Sequence, residues 1–133
     1  MKPTEQVKEQ DFQNALMTAL SETRVLVVWR QNSGKLVTKN RGALTLAPKG
    51  SGDITGLVIG CGLGVEIEVK VPPNKRTKEQ LHFAELCKTW GIVYAYVELD
   101  KTLDLKDNVS NAVESVLLAV EERTRSLRVN NVD

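Results

Sequence analysis

Three side chains in the middle of this chain have the types and spacing for metal-assisted chemistry on phosphate esters: Asp53, Glu68 and Lys70. Glu68 and Lys70 lie in the run Val65-Glu66-Ile67-Glu68-Val69-Lys70-Val71, which alternates strictly. In a strand, Ile67, Val69 and Val71 face one way and Glu66, Glu68 and Lys70 the other. A half-exposed strand shows this pattern with no function attached. Asp53 belongs to a preceding apolar run, Asp53 to Ile59, and Gly60-Cys61-Gly62-Leu63-Gly64 separates the two. A hairpin turning near residues 62 to 63 pairs positions whose numbers sum to roughly 125. That register sets Asp53 within a residue or two of Lys70 and one diagonal step, about 7–8 Å, from Glu68. Two carboxylates so placed can share a divalent cation, because Mg²⁺ takes hard oxygen ligands and often only one or two carboxylates. Hydrolysis of a phosphodiester needs an activated water and relief of the charge building on phosphorus oxygens, both of which a cation supplies. An ammonium on the same face can orient the water or hold the phosphate.

The elements that position these residues follow from periodicity. Val7, Phe12, Ala15, Leu16, Ala19 and Leu20 predict a helix over 4–21, with Glu5, Glu9 and Asp11 loading its start. Val25 to Trp29 predicts a strand, while 30–50 reads as polar and glycine-containing with a short apolar piece at Leu44-Thr45-Leu46. Pro72-Pro73 ends the Val65–Val71 strand, since proline cannot donate to a ladder. Thr77 to Trp90 predicts a helix with Thr77-Lys78-Glu79-Gln80 as capping box and Gly91 as C-terminal cap. Ile92 to Glu98 predicts a strand. Residues 107–127 predict a last helix with Val109, Val113, Val116, Leu117 and Val120 as its stripe, and 128–133 a flexible tail. The order implies one domain over 1–133, an α/β protein with a mixed central sheet flanked by helices.

Composition narrows the classes. The chain has 133 residues, 41% hydrophobic and 26% charged, with net charge +1, so a nucleic-acid partner would need locally clustered cations. Cys61 and Cys87 lack metal-ligand spacing and are expected as buried thiols of a reduced protein. No apolar signal core and no run of about 18 apolar residues is present, which points to an intracellular, cytoplasmic protein. His82, the one histidine, falls mid-helix away from the trio, as a surface residue.

The ordered set Gly50-Ser51-Gly52-Asp53-Ile54-Thr55-Gly56, Ile67-Glu68-Val69-Lys70 and Gln80 resembles the VRR-NUC branch of the PD-(D/E)XK nucleases. So do Glu9 on the first helix and Trp29-Arg30-Gln31-Asn32-Ser33-Gly34 after the first strand. The similarity covers roughly residues 5 to 100. Gly52 stands where the family's proline often is, Val71 where Thr or Ser is common, and Gln31 where the first Asn is. The resemblance implies a restriction-endonuclease-like core with Asp53, Glu68 and the Val69 carbonyl holding Mg²⁺ or Mn²⁺, and Lys70 at the water or phosphate. It also implies Glu9, in preference to Glu5, completing the metal shell, and Gln80 orienting lysine or water. Gln80 equally fits a plain cap, and Glu66 is read as solvated.

Around the trio, Arg30, Lys35, Lys39, Arg41, Lys49, Lys75, Arg76 and Lys78 offer phosphate contacts, with Arg30 and Asn32 the first choices. Stand-alone members of this size look like phage or prophage enzymes acting on branched DNA such as four-way junctions. Symmetric cutting would need a homodimer, whose interface the apolar faces of the first and last helices could supply unless the monomer's own core fills them. A flap or restriction-like nuclease, and a non-catalytic DNA-binding domain, are the alternatives.

Overall fold

The computed structural model describes residues 7–31, 35–38, 42–45 and 52–130. Its elements run α1 (Glu9–Glu22), β1 (Leu26–Arg30), β2 (Lys35–Thr38), β3 (Gly42–Thr45), β4 (Ile54–Val58), β5 (Gly64–Lys70), α2 (Lys78–Trp90), β6 (Val93–Glu98) and α3 (Leu105–Asn130). Four strands form a mixed sheet in the order β1-β4-β5-β6, and β2 pairs with β3 in a separate antiparallel hairpin. β1, β4 and β5 are antiparallel neighbours, while β6 joins β5 in parallel. A parallel neighbour needs a crossover, and α2 is that crossover.

One face of the sheet holds the core. Ile54, Val58, Val65, Ile67, Val69, Val93, Ala95 and Val97 are buried against Phe12, Leu16 and Leu20 of α1 and Ala112, Val116 and Val120 of α3. Each such side chain contributes about 1.5–3 kcal/mol on burial. The first and last helices therefore turn much of their apolar stripes into the monomer's own core, with Val109, Val113 and Leu117 only partly buried. α2 covers the β5–β6 half of the other face and buries Phe83 and Cys87. On the β1–β4 half of that face Val25, Val27, Trp29, Leu57 and Ile59 stay substantially exposed.

Several expectations need correction. α1 begins at Glu9, not residue 4, with Val7 and Lys8 outside the helix and Lys8 giving no side-chain cap. Residues 35–38 and 42–45 form a hairpin where a polar stretch was expected; strands of four residues are too short to show a period. α3 continues through Asn130, so residues 128–130 of the expected 128–133 tail are helical, and 131–133 lie outside the described residues. Cys61, in the β4–β5 turn, is exposed; only Cys87 is buried. His82 is exposed on α2 as expected.

The hairpin register also differs. Ile54 pairs with Ile67 and Leu57 with Gly64, so paired numbers sum to 121. The turn is centred about two residues earlier than expected, with Gly60 and Gly62 at φ 100° and 73°, backbone that L side chains rarely adopt. Extending the register one step sets Asp53 directly opposite Glu68, nearer than the diagonal the sequence suggested.

Candidate metal centre

Glu68 is the pivot of the site. It sits mid-strand on β5, under α2, and is 1% exposed. Its Oε1 accepts from Gln80 Nε2 at 2.9 Å and lies 3.8 Å from Lys70 Nζ. Its Oε2 is buried with no hydrogen-bond partner. Burial pushes the carboxyl up to about 8; repulsion from Asp53 adds to this, Lys70 pulls it back, and Asp53 as proton acceptor and the charge on Glu9 push further. Lys70 is the counter-charge on the Oε1 side, while Oε2 has no partner among the described residues.

Asp53 precedes β4 and is half-buried. Its Oδ2 accepts from the Val69 N–H at 2.8 Å, and its own carbonyl accepts from the Gln31 N–H at 2.9 Å. Lys70 accepts from Leu99 N–H through its carbonyl, on the β6 side of β5. Carbonyls alternate along a strand, so the Val69 carbonyl turns to the β4 side, where Asp53 stands. Asp53, Glu68 and that carbonyl thus converge at one strand end. Among the described residues no three His, Cys, Asp or Glu side chains form a group that could hold a metal ion. The donors on offer are two carboxylates and a carbonyl, with the orphaned Glu68 oxygen among them. That set fits a hard cation that keeps several waters. Glu9 is exposed at the start of α1, takes a hydrogen bond from Gln13 at 3.3 Å, and acts on Glu68 through its charge. Glu5 lies outside the described residues.

Gln80 caps α2 and also reaches the site, where it bonds Glu68. Its side-chain oxygen accepts from the Thr77 N–H at 2.8 Å while its backbone N–H is capped by Thr77 Oγ1 at 3.1 Å, completing the capping box. A backbone N–H needs an acceptor, so the amide oxygen must face Thr77 and the NH₂ must face Glu68. The helix cap fixes the orientation of the group that binds the buried carboxylate. Gly91, at φ 80°, closes the other end of α2, and its carbonyl accepts from Arg123 Nε at 3.2 Å.

Two expectations about this face are revised. Glu66 is not solvated: it is half-buried, its carboxyl pushed up by burial and drawn back by the Thr55 hydroxyl and the Gly52 backbone N–H. Thr55 Oγ1 lies 2.7 Å from Gln31 Oε1 and 3.2 Å from Glu66 Oε2. A hydroxyl has one proton, so the row is satisfied when the Gln31 amide turns its NH₂ to Thr55 and Thr55 donates to Glu66. Arg76 is not a free loop cation either. Its guanidinium lies 4.3 Å from the centre of the Tyr96 ring, and Tyr96 donates its hydroxyl proton to Glu98 at 3.1 Å.

Arg30 donates to Asn14 on α1 and is exposed at the end of β1. Lys75 and Lys78 are exposed beside the site. Asn32, Lys39, Arg41 and Lys49 lie outside the described residues, and the side chain of Lys35 is likewise not described.

Residues the sequence did not single out complete the face. Parallel pairing sets Tyr94 beside Glu66, Tyr96 beside Glu68 and Glu98 beside Lys70. The Tyr94 hydroxyl is buried without a hydrogen-bond partner, and burial raises its pKa, with Arg76 nearby lowering and Glu68 raising it. The alternation Tyr94-x-Tyr96-x-Glu98 was visible in the sequence; its alignment with Glu66, Glu68 and Lys70 was not.

No protein-family model matches the chain, and no curated protein matches it either. No helix among the described residues is long and apolar enough to cross a membrane.

Proposed function

We propose that this chain is a divalent-metal-dependent endonuclease that hydrolyses phosphodiester bonds in DNA. One observation carries the reading: a fully buried Glu68 with an unpartnered oxygen, flanked by Asp53 and Lys70. Burying a carboxylate oxygen without a partner is costly, and a bound cation would offset that cost. Asp53, Glu68 and the Val69 carbonyl would hold Mg²⁺ or Mn²⁺. When bound, the cation lowers the pKa of a water and offsets charge on the scissile phosphate.

The chain's own groups do the rest. Lys70, only partly exposed, keeps an ammonium beside Glu68, where it orients the attacking water or binds a phosphate oxygen. Gln80 holds the Glu68 carboxylate in one rotamer. Glu9, at the rim, completes the acidic shell through a water. Arg30, Lys75 and Lys78, all exposed, would neutralise flanking phosphates without reading bases, and Arg76 would do so from its seat on Tyr96. Asn32, Lys39, Arg41 and Lys49 join that set on sequence grounds.

The finer reading rests on the resemblance to the VRR-NUC branch: a restriction-endonuclease-like core acting on branched DNA such as four-way junctions, as a homodimer, inside a bacterial host and of phage or prophage origin. Incubation with Mg²⁺ and a panel of linear, flap and four-way DNAs tests it, with Asp53→Ala alongside. We expect cleavage of the branched substrates and none by the variant. No cleavage of any substrate, or equal cleavage by both proteins, removes the nuclease reading. Paired symmetric nicks on the four-way substrate alone support junction resolution.

A further inference from the structure

Asp53 stands just before β4, where no ladder of its own element holds it. Its carbonyl is fixed by Gln31 and its carboxylate by the Val69 N–H. What fixes the chain immediately around it is the side chain of Glu66. Glu66 Oε2 accepts from Thr55 Oγ1, two residues after Asp53. The same oxygen bounds the space over Gly52, the residue before Asp53: a Cβ built there would stand 3.0 Å from Glu66 Oε2 and 2.8 Å from the Ile67 carbonyl oxygen. Gly52 is buried, and its N–H faces the Glu66 carboxylate. One carboxylate group therefore faces the chain on both sides of Asp53. This also explains glycine at position 52, since any side chain there would push the segment off β5.

We infer that Glu66 is a positioning residue for Asp53: it pins Gly52 and Thr55 to β5 and so aims the Asp53 carboxylate at the Val69 N–H and the converging donors. The inference rests on the metal-ligand role of Asp53 proposed above. Glu66 itself touches neither substrate nor cation. Thr55 and Gln31 extend the clamp to β1, which ties the Asp53 segment to the sheet from two sides.

The test compares Glu66→Ala with Glu66→Gln by amide hydrogen exchange and by Mn²⁺ titration calorimetry. A glutamine carbonyl can still accept from Thr55 Oγ1 and can fill the same space over Gly52. In Glu66→Ala the Val69 amide is expected to exchange about tenfold faster or more, while the Leu99 amide, bonded to the Lys70 carbonyl on the far side of β5, keeps its rate. Mn²⁺ binding should weaken about 10–100-fold, the usual cost of losing a group that orients a ligand. Glu66→Gln should restore both to within about threefold of wild type, the residue of that same loss left when the contacts are kept. An unchanged Val69 rate in Glu66→Ala overturns the inference, as does equal acceleration at Leu99, which would mean general loosening. So does full Mn²⁺ affinity in Glu66→Ala when the wild type binds the ion. If the wild type binds no Mn²⁺ and Val69 alone accelerates, the clamp stands and the nuclease reading fails.

Discussion

Each face of β5 holds a fully buried side chain, with opposite energetic signs. Val65, Ile67 and Val69 are enclosed against α1 and α3, and their burial is favourable and indifferent to exact direction. Glu68, between Ile67 and Val69, is as deeply buried under α2, yet its burial raises the energy of its charged form. Gln80 and Lys70 offset this at Oε1, and no described residue does so at Oε2. The apolar face is complete as folded. The acidic face keeps an unmatched oxygen, and this asymmetry within one strand is the reason the proposed chemistry is placed there.

Asp53→Ala breaks the acidic face most severely. Cleavage should fall on the order of 10³-fold, the several kcal/mol that a metal contributes to such a transition state. Single-turnover assays in Mg²⁺ measure it, and the melting temperature should barely move. Ile67→Ala strikes the other face. It should cost about 2–5 kcal/mol in urea unfolding and leave the activity of the folded fraction intact.

Glu68→Gln sharpens the comparison through pH. A carboxyl raised from 4.5 to about 8 is favoured neutral in the fold, while the unfolded chain ionises near 4.5. The contribution of Glu68 to stability without metal is therefore fullest below pH 4.5 and declines as pH rises towards 8. Urea midpoints across that window should show the decline in the wild type and lose the contribution in Glu68→Gln. A matching slope in both proteins would mean Glu68 is not the group responsible. By the same linkage, Mg²⁺ must displace a proton at neutral pH, so metal affinity should climb with pH and level off above about 8.

The smallest effect is expected from Gln80→Glu. The carboxylate keeps the acceptor for Thr77 N–H but loses the donor to Glu68. Stability should fall by about 0.5–1.5 kcal/mol. The loss should be larger at pH 9 than at pH 6, because the repulsion requires ionised Glu68. A loss independent of pH would assign Gln80 to the cap alone.

Much of this layout was legible locally. The alternation of β5 separates Glu66, Glu68 and Lys70 from Ile67, Val69 and Val71 without reference to any other strand. The spacing of Phe12, Leu16 and Leu20 fixes the buried face of α1, and Thr77, Gln80 and Gly91 mark both ends of α2. These are properties of 3.6-residue and 2-residue periods and of terminal hydrogen bonds, which a short stretch of chain specifies alone. The start of α1 was not, because its first turn lacks a side-chain cap.

Register and cover required the tertiary structure. Glycines between β4 and β5 permit several turn lengths, so only packing of Ile54 beside Ile67 set Asp53 opposite Glu68. Parallel pairing of β6 brought Tyr94, Tyr96 and Glu98 to the acidic face, at a distance in sequence that no local pattern encodes. The sequence by itself determined that Glu66, Glu68 and Lys70 share a face with one another. Only the fold decided that α2 would lie over that face, burying Glu68 with an unmatched oxygen and turning Glu66 from an apparent solvent residue into a clamp on Asp53. The reason is physical: which side a residue faces depends on its neighbours in the chain, whereas what covers that side depends on elements that meet it only after folding.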